Sequence, residues 1–323
     1  MKLWHKILIV SFTIALIIAG TLWWIPFHKL SKGQMAIIGN SGSGPGIYLL
    51  NPLFRVWNRL PTDNLYPYYI AWSPDGKNVA FTYSDSDTEN NPNAVIGIAI
   101  LNLESMTIEK EYVAPSDESL DVVTWSPDGQ SLIFDVYENN VLSAFQKLDF
   151  YTGKLQSIPF PQNIQRQNIG VNHIEVAQNN DYVIGGSDGV FIAPPDLESL
   201  RQVMPYMDGF FLTPDRKEIT TPCAPTTLCN YSIDTAELTR TYHGALPDHG
   251  AFLAGNWSYD EKDVVYQLGS GEGDPEYIML LDLQNKQNYT ICKFPHYYIN
   301  DLSPEGNWFG TLGIIQLAWY PKK

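Results

Sequence analysis

The chain has little of what catalysis and metal binding usually require. Its three cysteines are not in zinc-ligand spacing, and none lies early enough to serve as a lipid-attachment site. The six histidines form no H-E-x-x-H pair. The glycine-rich stretch GNSGSGPG at 39–46 lacks both the G-x-S-x-G spacing of a serine nucleophile elbow and the Gly-Lys-Ser/Thr ending of a phosphate loop, and reads as a hairpin loop between short strands. Neither a cofactor nor a metal ion is therefore expected. Basic residues are scarce too, 20 against 35 acidic, a net of −15. Residues 1–32 hold four lysines and no acid, so the rest carries 16 basic against 35 acidic side chains. That balance argues against nucleic acid as a partner. Solubility accounts for the acidic excess, and attraction for cations or basic partners is the sharper reading. No low-complexity linker divides the chain.

What is present points to a large β protein. With 44% hydrophobic and 13% aromatic residues in 323, the chain can bury a substantial core. Twenty-two prolines and twenty-four glycines, spread between short apolar runs, favour many strands and turns over helices.

One segment stands apart. Residues 7–25 (ILIVSFTIALIIAGTLWWI) carry no charge, and as a helix would span about 28 Å, close to the thickness of a bilayer's hydrocarbon core. The segment reads as one N-terminal transmembrane helix, an uncleaved anchor with Trp23 and Trp24 at the interface. A cleaved signal peptide beginning with Lys2 and Lys6 is the competing reading. Lysines flank the run on both sides, and the short N-terminal tail places the bulk of the chain outside the cytoplasm, in the periplasm or at the cell surface. This divides the chain into residues 1–33, tail and anchor, and 34–323, the folded part.

The folded part repeats itself. YIAWSPDGKNVAFTY at 69–83 returns as VVTWSPDGQSLIFDV at 122–136. Proline presets the φ of a turn's second position and glycine accepts the positive φ that closes it, so each copy is a tight hairpin. Degenerate copies begin at 176, 212, 257 and 302, giving spacings of 53, 51, 36, 45 and 45. Two further strand-like runs separate successive copies. Four strands per repeat at this period is a propeller blade. The expected fold is all-β, a six-bladed β-propeller of four-stranded blades. N-terminal strands complete the final blade, and surplus strands at the chain ends leave room for a seventh.

WSPDGKNVAF and WSPDGQSLIF resemble the repeats of TolB-like (WD40-like) β-propellers, which also occur in the propeller domains of prolyl oligopeptidases and dipeptidyl peptidases. The likeness covers residues 34–323. It implies structural roles for Trp72, Pro74, Asp75, Gly76, Trp125, Pro127, Asp128, Gly129, Pro304 and Gly306. It also implies that the strand before each turn is innermost and opens onto one mouth of a central channel. That places Tyr68, Tyr69, Asp121, Asn172, His173, Glu175, Asp208, Asn256, Asn300 and Asp301 near a common axis, as candidate ligand-binding groups and not catalytic ones. Cys223 and Cys229 bracket a short loop and could bridge a hairpin in an oxidising compartment, or stay reduced. The acids of SDSDTENN at 84–91 lack the glycine and distal glutamate of a calcium loop and read as a solvated connection.

The expected function is non-catalytic. A membrane-anchored extracytoplasmic propeller would bind or scaffold a protein or peptide of the cell envelope. The alternative is a propeller-type glycan hydrolase or lyase using channel acids such as Asp121, Glu175 or Asp301.

Overall fold

The computed structural model describes residues 33–294 and 318–321, apart from 42–43, 52–55, 63–64, 87–90, 92–93, 139–140, 161–170, 187–188, 205–208, 248–250, 259–260 and 270–275, together with Ser11 and Thr13. Ser11 and Thr13 are helical. Otherwise the apolar segment at 7–25 lies outside the described residues, among which no helix is long and apolar enough to cross a membrane.

The local rule of the fold is the turn. Ser73 Oγ donates to Asp75 Oδ1 at 2.6 Å, the carboxylate accepts from the Lys77 N–H at 3.1 Å, and Ser73 Oγ accepts from the Asn78 N–H at 2.9 Å. Gly76 closes the turn at φ 69°. Ser126, Asp128, Gln130, Ser131 and Gly129 repeat the arrangement. The degenerate copies keep it with other side chains: Thr213 and Asp215 take the serine and aspartate places, while Arg216 and Glu261 adopt the positive φ.

These turns join strands into six antiparallel sheets. Blade I combines β1 (Gly33–Ser41), β2 (Gly44–Asn51) and β3 (Val56–Arg59) with the C-terminal β25 (Ala318–Pro321). Blade II holds β4 (Tyr66–Trp72), β5 (Asn78–Ser84), β6 (Ile96–Asn102) and β7 (Thr107–Val113). Blade III holds an inner strand in two pieces, β8 (Glu118–Ser119) and β9 (Val123–Trp125), then β10 (Ser131–Glu138), β11 (Val141–Asp149) and β12 (Leu155–Pro159). Blade IV is β13 (Val171–Val176), β14 (Tyr182–Gly186), β15 (Gly189–Ala193) and β16 (Arg201–Met204). Blade V is β17 (Phe211–Leu212), β18 (Glu218–Ala224), β19 (Thr227–Ser232) and β20 (Leu238–His243). Blade VI is β21 (Ala251–Trp257), β22 (Asp263–Gly269), β23 (Glu276–Asp282) and β24 (Gln287–Phe294).

The ring closes in blade I, where β25 pairs with β1 and touches both β4 and β21. Strands from both chain ends thus share one sheet, which locks the ring as the propeller principle requires. The sixth turn copy, with Pro304 and Gly306, lies outside the described residues.

A twisted sheet has two apolar faces, so the core lies between blades. One cluster joins Ile100 of blade II, Phe134 and Phe145 of blade III and Ile184 of blade IV. Others join blades I and II, IV and V, and V and VI. The strand β22 is buried along its whole length, whereas the outermost β7 alternates between exposed and half-buried residues. The repeat tryptophans fasten neighbouring blades. Trp125 Nε1 donates to Ala71 O of blade II at 3.2 Å, and Trp257 Nε1 donates to Thr220 Oγ1 of blade V at 2.7 Å.

Candidate functional site

Three inner strands share an irregularity that positions the channel residues. In β4 the pairing register shifts between Pro67 and Tyr69, in β13 between Val171 and His173, and in β21 between Phe252 and Ala254. The extra residues, Tyr68, Asn172 and Leu253, each stand four positions ahead of the first residue of their turn copy. Asp121 stands at the same place in blade III, where the inner strand is interrupted between β8 and β9. A bulge leaves a residue unpaired and re-aims its side chain, so this position is the one the fold frees from the ladder.

The sequence candidates consequently lie at different depths. Glu175 and Asn256 stand one residue before their turn copies, Tyr69 and His173 three, and Asp121 and Asp208 four. At a rise of about 3.3 Å per residue, the outer levels are about 10 Å apart. Asp208, Asn300 and Asp301 fall outside the described residues. Asn256 Oδ1 accepts from the adjacent Trp257 N–H at 2.9 Å.

Two groups of side chains form. In the first, Tyr69 is hydrogen-bonded to His173 Nδ1 at 2.7 Å, and the His173 ring meets Phe210 edge-on at 4.6 Å between centroids. His173 Nε2 lies 3.7 Å from Glu175 Oε1, and Arg216 donates to Glu175 Oε2 at 2.6 Å. Arg216 also donates through Nε to Val176 O. Burial would raise the Glu175 carboxyl, but Arg216 and His173 outweigh it and hold the group down at about 2.

The second group lies on blade III. Asp135 is fully buried, and its Oδ1 accepts from the backbone N–H groups of Asp121 and Val122, each at 2.9 Å. Its Oδ2 is buried without a hydrogen-bond partner among the described residues. Burial, reinforced by Asp121, pushes the Asp135 carboxyl up to about 8 against the lowering effect of the backbone donors. Asp121 stays open to water, yet partial desolvation by the wall raises its carboxyl as well. The Tyr68 hydroxyl donates to Leu120 O at 2.7 Å, and Tyr137 donates to Val171 O at 3.3 Å. Both phenols are raised, first by burial and then by Asp121 and Asp135. Among the described residues, no three His, Cys, Asp or Glu converge as a metal cluster.

Asp135, Tyr137 and Arg216 were not among the sequence candidates. Asp135 left a signal, a charged residue inside the apolar run SLIFDVY at 131–137. Away from the channel, a cavity of about 420 Å³ opens between blades II and III, lined by Ile98, Lys110, Tyr112, Phe150 and Tyr151, with Lys110 Nζ 4.5 Å above the Phe150 ring. Cys223 and Cys229 are joined as a disulfide across the β18–β19 hairpin.

Six four-stranded blades around a ring define a β-propeller. No family model and no curated protein matches the chain. Solved structures do match. TolB from Acinetobacter baumannii is similar with a TM-score of 0.61 and 15% identity, over 90% of this chain and 67% of that one. An oligogalacturonate lyase in complex with manganese is similar with a TM-score of 0.52 and 13% identity, over 82% of this chain and 75% of that one. The fold is thus a TolB-like β-propeller, and identities this low carry fold alone.

Proposed function

We propose that the chain is a membrane-anchored, extracytoplasmic β-propeller serving as a non-catalytic binding or scaffold module for a protein or peptide of the cell envelope. The observation that carries this reading is the Tyr69, His173, Glu175 and Arg216 array, which links inner strands β4 and β13 to the turn of blade V. Its acid is paired with arginine and held ionised at about 2, so it has no proton to donate near neutral pH. An array closed on itself offers a fixed polar surface, the form of a recognition site. The uncharged run at 7–25 supports the anchor, and the Cys223–Cys229 bridge suits an oxidising compartment.

One observation favours the enzyme reading. A carboxyl at about 8 beside a water-accessible Asp121 is the kind of split between two acids that glycan chemistry uses.

Photo-cross-linking in native membranes separates the two. A photoreactive residue replaces Tyr68 in the channel wall or Leu238 on the outer strand of blade V, in the full-length chain. The same envelope protein should cross-link from position 68 and not from 238. Capture from 238 alone, or glycan turnover abolished by Asp121→Asn at unchanged melting temperature, would overturn the binding reading.

A further inference from the structure

Two carboxyls of blade III, Asp121 and Asp135, share one stretch of channel wall. Among the described residues, Asp121 forms no side-chain hydrogen bond or ion pair, and Asp135 lies behind it with Oδ2 buried and unpartnered. The same carboxyl grips the backbone N–H of Asp121, so the two acids are mechanically one unit. Thr82 Oγ1 reaches from blade II to donate to Asp121 O at 3.1 Å and fixes that unit from the other side. The neighbouring hydroxyls offer no relief, because Tyr68 and Tyr137 both spend their protons on backbone carbonyls. Among the described residues, the titratable groups facing the pair are therefore two phenols, both neutral, and no base. A buried carboxyl without a counter-charge keeps its proton instead of ionising, and a cation placed beside it reverses that balance.

We propose that this wall receives a basic group, the ammonium of a lysine side chain or of a chain terminus, carried on the partner segment that enters the channel. The inference rests on the binding reading above and names the chemistry the partner must bring. Only two carboxyls converge, with no third acid, His or Cys among the described residues to complete a metal cluster. Two tyrosine rings beside them suit an organic cation, which aromatic side chains also attract. Binding has a proton signature. In the free channel Asp135 keeps its proton below about 8, and a cation at Asp121 favours the ionised form, so a proton leaves as the ligand arrives.

The test uses the full-length chain with ¹³C-labelled aspartate carboxyls, read by NMR. The probes are a blocked Gly-Lys-Gly tripeptide, its Gly-Gln-Gly counterpart, and calcium chloride. The lysine peptide should move the Asp121 and Asp135 resonances, which Asp121→Asn and Asp135→Asn assign, and the glutamine peptide should not. Asp121→Asn should weaken the lysine peptide by about tenfold or more, the scale of a lost charge-assisted contact. Asp135→Asn keeps an acceptor for both backbone N–H groups, so it tests the charge without removing the support. Calorimetry in two buffers of different ionisation enthalpy should show proton release by the native chain and none by Asp135→Asn. Equal response to the two peptides, retained affinity in Asp121→Asn, or resonances that move with calcium alone would overturn the proposal. Failure is distinguishable from failure of the binding reading. Lysine-peptide binding with no cross-linked partner sinks only the latter, and a cross-linked partner indifferent to Asp121→Asn sinks only the former.

Discussion

Tyr69 and His173 meet at 2.7 Å although blade III stands between their blades in the ring. The contact is open to them because the inner strand of blade III is interrupted between β8 and β9, where Asp135 and not a neighbouring strand holds the backbone. Residues 104 positions apart are thereby joined in front of blade III.

Removing the Tyr69 hydroxyl should cost stability and coupling together. Tyr69→Phe is expected to destabilise by about 1 kcal/mol, the net worth of an ordinary buried hydrogen bond. In a double-mutant cycle with His173→Phe the two changes should be non-additive by about 0.5–1 kcal/mol. Urea melts of the four proteins measure this, and simple additivity would show that the contact contributes nothing.

Arg216 does two things that different substitutions separate. It pairs with Glu175, and it occupies φ 56°, the place that Gly76 and Gly129 fill in the strong turn copies. Arg216→Ala loses the pair and keeps the strained backbone, whereas Arg216→Gly loses the pair and relieves it. The glycine variant should therefore be more stable than the alanine variant by about 1 kcal/mol. Both should flatten the acid limb of stability. The folded Glu175 carboxyl lies at about 2, below an unfolded value of about 4.3, so the pair's contribution is complete above the unfolded value and is lost as pH falls toward the folded one. Identical acid limbs in wild type and variants would contradict this.

The reach of the sequence follows from how local each feature is. The Ser-Pro-Asp-Gly turns are legible because their hydrogen bonds run between residues two to five apart, as with Ser73, Asp75 and Asn78. Blade count followed from turn spacing, and the TolB-like fold from the same words. The channel was harder. Tyr69 and Glu175 lie on the inner strands β4 and β13 and Asp121 in the gap between β8 and β9, and their depth depends on bulges that alternation does not announce. Asp135 belongs to a second strand, and only pairing with the bulged segment brings it to Asp121. Arg216 reads as a turn residue until blade V is packed beside blade IV.

The Cys223–Cys229 bridge closes a short hairpin, its cysteines at a sequence separation of 6. A loop of this size restricts the unfolded chain by about 2 kcal/mol. Reductant should lower the urea midpoint of the native chain by the corresponding amount and leave that of the Cys223→Ser, Cys229→Ser double variant unchanged. An equal response of the two proteins would show that the bridge does not stabilise blade V.

Asp135 should make the propeller less stable as pH rises from about 4 to about 8. The group is pushed up to about 8 in the folded chain, against about 3.9 unfolded, so between these values the folded state binds the extra proton. Stability then falls with rising pH across that window, by at most about 1.4 kcal/mol per pH unit, and levels off above it. Asn at 135 carries no titrating proton and keeps an oxygen for the N–H groups of Asp121 and Val122. The difference in unfolding free energy between Asp135→Asn and the native chain should therefore grow in favour of the variant from pH 5 to about pH 8, when followed by urea melts. A difference that stays constant over that range would mean that Asp135 titrates as an ordinary aspartate, and that the channel wall already supplies it with positive charge or water.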